Sequence, residues 1–458
     1  MWRKCSFNYD LFVFIKSVLF DSIFSIETSF LLCYSTRHYF TIEVSIKMNN
    51  IPNYQYVNRE GGGVKPSENN SKSANSSFLT NLQALRAIAF CSVMLSHTGL
   101  AFFGGVGAWG VSVFFVLSGF VLVYSYYEKN RIAPCSIGNN LFFACSKLKR
   151  LFLLHILCTL AMMVFFFVGD KTESISFVFV TRFILNIFFL QEWVPFEIRS
   201  INGVSWFLCT ILLGYFLFPW FLRLLEKNYS ISKATYCVGL CLFIEFGFGL
   251  GGASLSPEIY NENEVWTYDI PNWLGYYFPL ARVWDMIIGF NLGYLFIHRE
   301  RVLSSVKVTS LEIVGVLFAV LSCYLFAIMT PAHLYDENAV VMSDPHRWWT
   351  YSLVFILGTI ILIYTFALQN GFVSNLLSNR VTQYLAKISP YGFLIHYVVF
   401  RYLSVVYYRM PGFEEHEFVI QYGGWCQLTV GVVISLICSD IWLRLYSRFI
   451  KPLNLKYI

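Results

Sequence analysis

Apolar stretches long enough to cross a lipid bilayer recur along almost the whole chain, and this pattern limits the possible folds more than any other feature. A helical span needs about 20 mainly apolar residues. Inside hydrocarbon, the backbone must satisfy its own hydrogen bonds, which leaves helices and closed barrels. Apolar stretches of helical length predict an all-α polytopic bundle. Eleven of them begin near residues 82, 109, 150, 175, 204, 234, 279, 309, 351, 384 and 419.

The composition excludes a soluble protein. Apolar residues make up 57% of the 458 residues and charged residues 13%, against about 45 to 50% and about 25% in soluble domains. The net charge of +6 is spread between apolar blocks, so we expect no nucleic-acid partner, because such partners bind to a basic stripe or patch. The twelve cysteines show no CxxC pair, and we expect no metal site.

The first 81 residues differ from the rest of the chain. Residues 1–47 are apolar but interrupted by charges, and they lack the core and cleavage site of a signal peptide. We interpret this segment as a doubtful extension upstream of a true start at Met48. Residues 48–81 are rich in Asn, Ser and Gly and are predicted to form a disordered cytoplasmic tail.

The distribution of Lys and Arg predicts ten spans instead of eleven. If every stretch crossed, the basic loop around residues 129–150 and the one around 223–233 would lie on opposite sides, against the positive-inside rule. The stretch 175–191 is short and carries Arg182, so we predict that it is re-entrant or interfacial. Both termini are then cytoplasmic. A membrane domain over residues 82–447 lies in the cell membrane, and residues 448–458 form a cytoplasmic C-terminal tail.

Two ionisable residues of the first span are candidates for function. Arg86 and His97 are eleven residues apart, which places them within about 20° of one another and about 16 Å apart along a helix. Ionisable groups inside a span are functional candidates by default. The alternative is a snorkelling arginine and an internally bonded histidine.

Further polar positions follow along the chain. Ser118 and Gly119 lie at mid-depth of the second span, where small residues also serve helix packing. Lys147 and Arg150 lie at the cytoplasmic entrance of a helix. They either bind phosphate groups or act as an ordinary positive-inside anchor. Trp206 begins another span. It is a candidate for function, and the alternative is an ordinary aromatic anchor at the membrane interface.

Two more groups lie in later spans. Arg282 and Asp285 are one turn apart and either act on a substrate or neutralise each other as an i, i+3 pair. His396 lies mid-span after a proline, and an ordinary structural histidine is the alternative for it.

These blocks, in this order, resemble membrane acyltransferase family 3, the O-acetyltransferases of cell-surface polysaccharides. The family's first span has an Arg, ten residues and a His, as do Arg86 and His97. Its second span has a GV-x-x-FF-x-x-SGF pattern, matched from Gly110 to Phe120. The resemblance covers about residues 80–450.

Two later blocks carry the same resemblance. A family stretch P-x-x-R-x-x-E-F-x-x-G is similar to the block from Pro279 to Gly289, with Asp285 in place of Glu. A block ending in SY-x-x-YL-x-H is similar to Ser389 to His396.

The chain departs from the family at two places. A W-S-L-S-x-E block is kept in frame by Trp206 and Tyr215, but Ile211 stands at its acidic position. The family's R-x-x-R entrance corresponds to Lys147 and Arg150, so a lysine stands in place of its first arginine.

The resemblance implies transfer of an acetyl group from cytoplasmic acetyl-CoA to a carbohydrate hydroxyl at the outer face. His97 is then the general base, with Asp285 orienting it and Arg282 steadying the oxyanion. Arg86 would help to bind the acetyl-CoA donor, near Lys147 and Arg150. Ser118 and Gly119 would also lie on the donor side. Trp206, Tyr215 and His396 would support the acceptor side.

Several alternatives stay open. The acetyl group could pass directly from the donor to the acceptor, or in two steps through an acetylated histidine. The acceptor is alternatively a lipid, peptidoglycan or small-molecule hydroxyl. A chain of this kind is alternatively a carrier or flippase for a lipid-linked sugar, although no internal repeat typical of carriers is visible. The sequence does not determine the oligomeric state.

Overall fold

The computed structural model describes ten ranges of the chain: residues 68–100, 103–127, 136–170, 177–197, 199–227, 229–254, 270, 273–329, 355–408 and 423–450. The predictions for residues 1–47, for 48–67 and for the last part of the C-terminal tail lie outside these ranges.

The described residues form α-helices joined by short turns, and no β-strand occurs among them. We number the helices in chain order: α1 Glu68–Ser96, α2 Gly104–Tyr127, α3 Ile137–Val164, α4 Phe177–Ile187, α5 Trp206–Glu226, α6 Ile231–Ser254, α7 Pro279–Ile297, α8 Ser305–Met329, α9 Phe355–Leu368, α10 Phe372–Leu377, α11 Arg380–Tyr408 and α12 Val432–Leu445. Short π-helical turns extend α3 and α12 and precede α7 and α12.

Seven helical segments in the described part are long and apolar enough to cross a membrane. They contain α2, α3, α5, α6, α7, α8 and α12. The prediction of an all-α polytopic membrane bundle is therefore confirmed. Three further helices, α1, α9 and α11, correspond to the other predicted spans, so the count of ten stays a prediction.

Helix α4 is the segment for which the charge distribution predicted no crossing. It has 11 residues, about 16 Å of helix, whereas the hydrocarbon core is about 30 Å thick. Arg182 on this helix pairs with Glu197 at 2.9 Å, so the chain turns back on itself after α4. The geometry agrees with a re-entrant or interfacial segment.

Helix α1 begins earlier than predicted. It starts at Glu68, so residues 68–81 are helical and do not belong to a disordered tail. Tertiary contacts fix the end of this stretch: the Asn81 amide donates to Ser374 Oγ at 3.3 Å and to Asn375 Oδ1 at 3.1 Å. The Gln383 amide donates to the Thr80 carbonyl at 2.6 Å. Sequence composition alone could not supply these partners.

Helix α1 also ends where a specific backbone conformation stops it. Gly99 has φ of 81°, the left-handed conformation that commonly terminates helices and that glycine adopts without strain. His97 therefore lies one residue beyond the helix and not within it. It remains tied to the last turn, because its amide donates to the Met94 carbonyl at 3.2 Å.

Helices α2 and α7 are packed in close backbone contact at the centre of the bundle. A Cβ on Gly119 would lie 2.1 Å from the Met286 carbonyl oxygen, and a Cβ on Gly289 would lie 2.1 Å from the Val116 carbonyl oxygen. Both glycines are therefore required for the approach of the two helices. For Gly119, the contacts indicate helix packing instead of the predicted role in donor binding.

Candidate active site

An inner polar cluster forms around Arg86 on α1. Its guanidinium donates to Gln83 Oε1 at 3.0 Å and interacts electrostatically with Tyr215 of α5 and Arg150 of α3. The Arg150 guanidinium lies over the Tyr391 ring at 5.4 Å from its centroid. Three helices thus bring together Arg86, Arg150 and Tyr215. Tyr215 lies on this inner side, with the predicted donor residues and not with the acceptor group.

Lys147 lies one turn before Arg150 but points to a different neighbour. Its amine donates to the Tyr126 hydroxyl at 2.6 Å and lies 4.7 Å from the ring centroids of both Tyr126 and Phe143. These contacts stabilise the cation through the ring faces. Ser118 is half-buried on α2, and none of the described hydrogen bonds connects it to Arg86.

An outer polar cluster forms around His97. Its Nδ1 lies 2.8 Å from the Val93 carbonyl oxygen and 3.3 Å from Ser96 Oγ. A carbonyl oxygen only accepts, so Nδ1 carries the hydrogen and Nε2 keeps a lone pair. The side chain is half-buried. An imidazole held in this way presents a proton acceptor to a neighbouring group.

A second imidazole lies beside the first. The rings of His97 and His396 have centroids 4.9 Å apart with planes at 73°. His396 Nδ1 lies 3.0 Å from the Gly392 carbonyl oxygen, its ring is fully buried, and Nε2 has no hydrogen-bond partner among the described residues. Tyr397 is also near, at 6.0 Å from the His97 ring. The structure therefore brings together two predicted residues from opposite ends of the membrane domain.

Arg282 and Asp285 form a buried ion pair away from this imidazole pair. Their charged atoms are 2.8 Å apart and both side chains are at most 2% exposed. Arg282 also donates to Ser112 Oγ at 3.0 Å, and no described hydrogen bond connects Asp285 to His97. The predicted orienting role of Asp285 has no contact to support it, because a desolvated cation one helical turn away is the stronger partner.

Sequence reasoning missed Glu245, which joins this pair from α6. Its carboxyl is 2% exposed and interacts with both Asp285 and Arg282. One acid in the middle of an apolar stretch was the available signal.

The loop between α4 and α5 was missed as well. Four of its polar residues are fully buried: Gln191, Glu192, Asn202 and Ser205. The Gln191 amide donates to Ser205 Oγ at 3.0 Å, and Ser205 donates to the Asn202 carbonyl at 2.7 Å. A dense polar segment was visible in the sequence, but loops have no periodicity from which burial can be predicted.

An aromatic cluster lies between this loop and the ion pair. The Trp206 ring is 5.1 Å from Tyr276 and 5.2 Å from Tyr277. Arg282 lies over Tyr276 at 4.8 Å, and Arg199 of the loop lies over Tyr277 at 5.3 Å. Trp206 is therefore packed in the same aromatic cluster as Arg199, and its acceptor-side role stays a prediction.

The two clusters define the kind of protein. Arg86 lies within α1 and His97 directly follows its last residue, about 16 Å away along the helix axis. One end gathers cations suited to phosphates, and the other presents an imidazole with an available lone pair. Among the described residues, no group of three or more His, Cys, Asp or Glu is arranged to hold a metal ion. This is a polytopic membrane protein with two internal polar clusters, one around a residue of α1 and one around the residue that follows its end.

A comparison with protein families identifies the class. A family model described as an acyltransferase domain, that of acyltransferase family 3, matches residues 79–444. The chain belongs to this family. No curated protein and no solved structure matches it. The protein is therefore a membrane acyltransferase.

Proposed function

We propose that the protein transfers an acetyl group from cytoplasmic acetyl-CoA to a hydroxyl group of a carbohydrate at the outer face of the cell membrane. Both termini are then cytoplasmic. The observation that supports this proposal best is the fixed tautomer of His97. Its Nδ1 is bonded to the Val93 carbonyl, so Nε2 is available to remove a proton from a hydroxyl group.

The donor side rests on the inner cluster. Coenzyme A carries phosphates, and guanidinium groups bind phosphate through strong charge-assisted hydrogen bonds. Arg86 and Arg150 lie together on the side that the positive-inside rule assigns to the cytoplasm. The thioester end of the donor then extends along α1 towards His97.

The acceptor side rests on the outer cluster. Trp206 and its neighbouring tyrosines offer apolar ring faces and hydroxyl groups, a combination suited to sugars because these have both apolar and polar faces. His396 supports this side through its contact with His97. A carbohydrate hydroxyl bound there would meet the lone pair of the base.

The reaction proceeds as acyl transfer to oxygen. His97 Nε2 takes the hydroxyl proton while the oxygen attacks the thioester carbonyl carbon. The tetrahedral intermediate then expels the thiolate, and the proton passes from His97 to its sulfur. In the variant with an acetyl-histidine, Nε2 attacks first, and burst kinetics with a trapped acetylated His97 would reveal it.

Transfer of radiolabelled acetyl from acetyl-CoA to glycans, measured in proteoliposomes, tests the proposal. The glycans come from the cells that produce the protein, and the wild type is compared with His97→Ala and with Arg444→Ala. Removing a general base costs typically 10² to 10⁴ in rate, so we expect His97→Ala to lose nearly all transfer. Arg444 pairs with Asp440 on the exposed side of α12, and its replacement should leave the rate unchanged.

Two results would contradict the proposal. One is a correctly folded His97→Ala variant that keeps half of the wild-type rate. The other is movement of a lipid-linked sugar across the vesicle membrane without acetyl-CoA and without acyl transfer, which would favour a carrier.

A further inference from the structure

Two polar side chains on one face of α11 lie next to the imidazole pair. Tyr397 and Arg401 are four residues apart on this helix, which places them about 40° from one another and about 6 Å apart along its axis. The centroid of the Tyr397 ring is 6.0 Å from that of the His97 ring. Arg401 therefore lies one helical turn beyond a residue that borders the proposed base.

Contacts with α3 hold Arg401 against the protein. Its side chain is half-buried, and its guanidinium lies 5.1 Å from the centroid of the Phe165 ring, which is 2% exposed. The next residue, Tyr402, donates its hydroxyl to the Ala161 carbonyl at 2.7 Å. Phe165 begins a π-helical turn at the end of α3, a feature that is frequent at functional sites. The arginine thus faces α3 instead of extending freely into lipid.

No described residue neutralises the charge of Arg401. Among the described side chains, none of the ion pairs and none of the hydrogen bonds includes its guanidinium, and Nε is buried without a partner. The Tyr397 hydroxyl takes part in none of the hydrogen bonds of these residues either. A charged group within a membrane span is costly, and such groups mark the paths of substrates. Two neighbouring donors are therefore available to a ligand.

The loop between α4 and α5 also reaches these donors. A Cβ on Gly203 would lie 2.7 Å from the Tyr397 hydroxyl oxygen, so only glycine permits this approach. Ile201 of the loop packs with Phe165 in a small apolar cluster, and Tyr397 lies against it. The loop, α3 and α11 therefore meet around Tyr397 and Arg401.

We infer that Arg401 and Tyr397 bind a negatively charged group of the acceptor, a carboxylate or a phosphate, so that the acceptor is an acidic glycan. This inference rests on the proposed function. A guanidinium binds either anion through two parallel charge-assisted hydrogen bonds, and a tyrosine hydroxyl adds a further donor. Because Arg401 lies one turn beyond Tyr397, the anion is bound away from the hydroxyl group that reacts at His97.

The phosphates of the donor do not fit this position. The inner cluster meets α11 at Tyr391, over which the Arg150 guanidinium lies. Tyr391 and Arg401 are ten residues apart, about 15 Å along the helix, and the imidazole pair lies between them. Acetyl-CoA bound by the inner cluster therefore has its phosphates on the far side of His97 from Arg401. The acceptor is the other ligand of the proposed reaction.

Substitutions on α11 test the site through the Michaelis constants. The assay is acetyl transfer from acetyl-CoA in phosphatidylcholine proteoliposomes, and the acceptors are cell glycans separated by anion exchange into neutral and acidic fractions. Arg401→Gln should raise KM for the acidic glycans by about tenfold or more. Since the site is away from the reacting atoms, kcat and KM for acetyl-CoA should stay within about twofold of wild type. Arg401→Lys should recover part of the affinity, and Tyr397→Phe should raise the same KM by less.

Neutralising the glycans identifies the anion and supplies a test on the wild type alone. Methyl esterification removes the charge of carboxylates, and cold hydrofluoric acid cleaves phosphate esters. One of these treatments should raise the wild-type KM to that of Arg401→Gln and leave the variant unchanged, because the same interaction is already lost. Arg444→Ala and Tyr236→Phe remove a cation and a hydroxyl at exposed positions, and both should keep the wild-type KM.

The possible failures are distinguishable. If the wild type acetylates neutral glycans as well as acidic ones, and neither treatment changes KM, this inference is wrong and the proposed function stands. If Arg401→Gln keeps the glycan KM but loses an activation by phosphatidylglycerol in the vesicles, the arginine binds a lipid headgroup and this inference is likewise wrong. A wild type that transfers no acetyl group to either fraction overturns both.

Discussion

At the scale of single residues, the buried acid Glu192 shows how its environment sets protonation. Burial raises the pKa of its carboxyl from the ordinary 4.5 to about 8. The charged and titratable groups that face it are Arg199, Glu197 and the Cys209 thiol. Glu192 is therefore neutral at pH 7 in the folded protein and ionised in the unfolded chain.

The shift predicts how stability depends on pH. A raised pKa favours the folded state fully below pH 4.5, and this contribution is lost as the pH rises to about 8. We expect the melting temperature of the purified protein to fall over that range, and to fall less in Glu192→Gln, which cannot ionise. Identical pH dependence of wild type and variant in thermal unfolding would show that Glu192 is already ionised when folded.

Arg86 gives a second prediction at this scale. Because its proposed partner is the donor, Arg86→Ala should raise KM for acetyl-CoA more than it lowers kcat. Steady-state kinetics in proteoliposomes measure both constants, and Arg444→Ala is the control for loss of a basic residue elsewhere. An unchanged KM together with an unfolded variant would indicate that Arg86 has only a structural role.

At the scale of elements, the contact of α2 with α7 depends on the absence of side chains. In Gly119→Ala the new Cβ meets the backbone oxygen of Met286 at 2.1 Å, and a backbone oxygen cannot rotate away. Gly239 on α6 has nothing within 4 Å of its Cβ position, so Gly239→Ala isolates the helix preference for alanine, roughly 0.5–1 kcal/mol.

We therefore expect opposite effects from two identical substitutions. Gly119→Ala should lower the melting temperature and Gly239→Ala should leave it unchanged or raise it. Thermal unfolding in one detergent measures both. Equal melting temperatures for the two variants would mean that α2 and α7 separate more easily than their contact indicates.

The buried charges of α6 and α7 give a prediction for a pair of elements. Arg282→Ala leaves Asp285 and Glu245 without their cation, and breaking a buried pair typically costs about 3–5 kcal/mol. Replacing Arg282 with Met and Asp285 with Leu together should cost less, because one buried acid, Glu245, is then left without the cation instead of two. Denaturant unfolding compares the two. A double variant less stable than Arg282→Ala would contradict this account.

At the scale of the whole molecule, the proposed function requires the donor and acceptor to reach the site from opposite faces. The inner and outer clusters are about 16 Å apart along α1. We expect transfer when acetyl-CoA is on the side of Arg86 and the glycan is on the side of His97. Vesicles of the two orientations, supplied with acetyl-CoA only outside, measure this. Equal rates in both orientations would contradict two-sided access.

Much of this molecule was accessible from sequence because the bilayer is a demanding solvent. Apolar length predicted the all-α membrane bundle, since hydrocarbon penalises open backbone and charge. The placement of Lys and Arg predicted that α4 does not cross, and this stays a prediction. Helical periodicity predicted Arg86 and His97 on one face, although α1 ends one residue before His97. These inferences needed only distances along a single helix.

Tertiary structure decided which residues from different elements meet. The chain places His396 beside His97 and ties Asp285 to Glu245 as well as to Arg282. Gly119 could be assigned to packing only when the Met286 carbonyl was located against it. The physical reason is that hydrophobic length determines whether a helix crosses the bilayer, whereas partner choice depends on the rotation and depth of each helix against its neighbours, which a one-dimensional pattern does not contain.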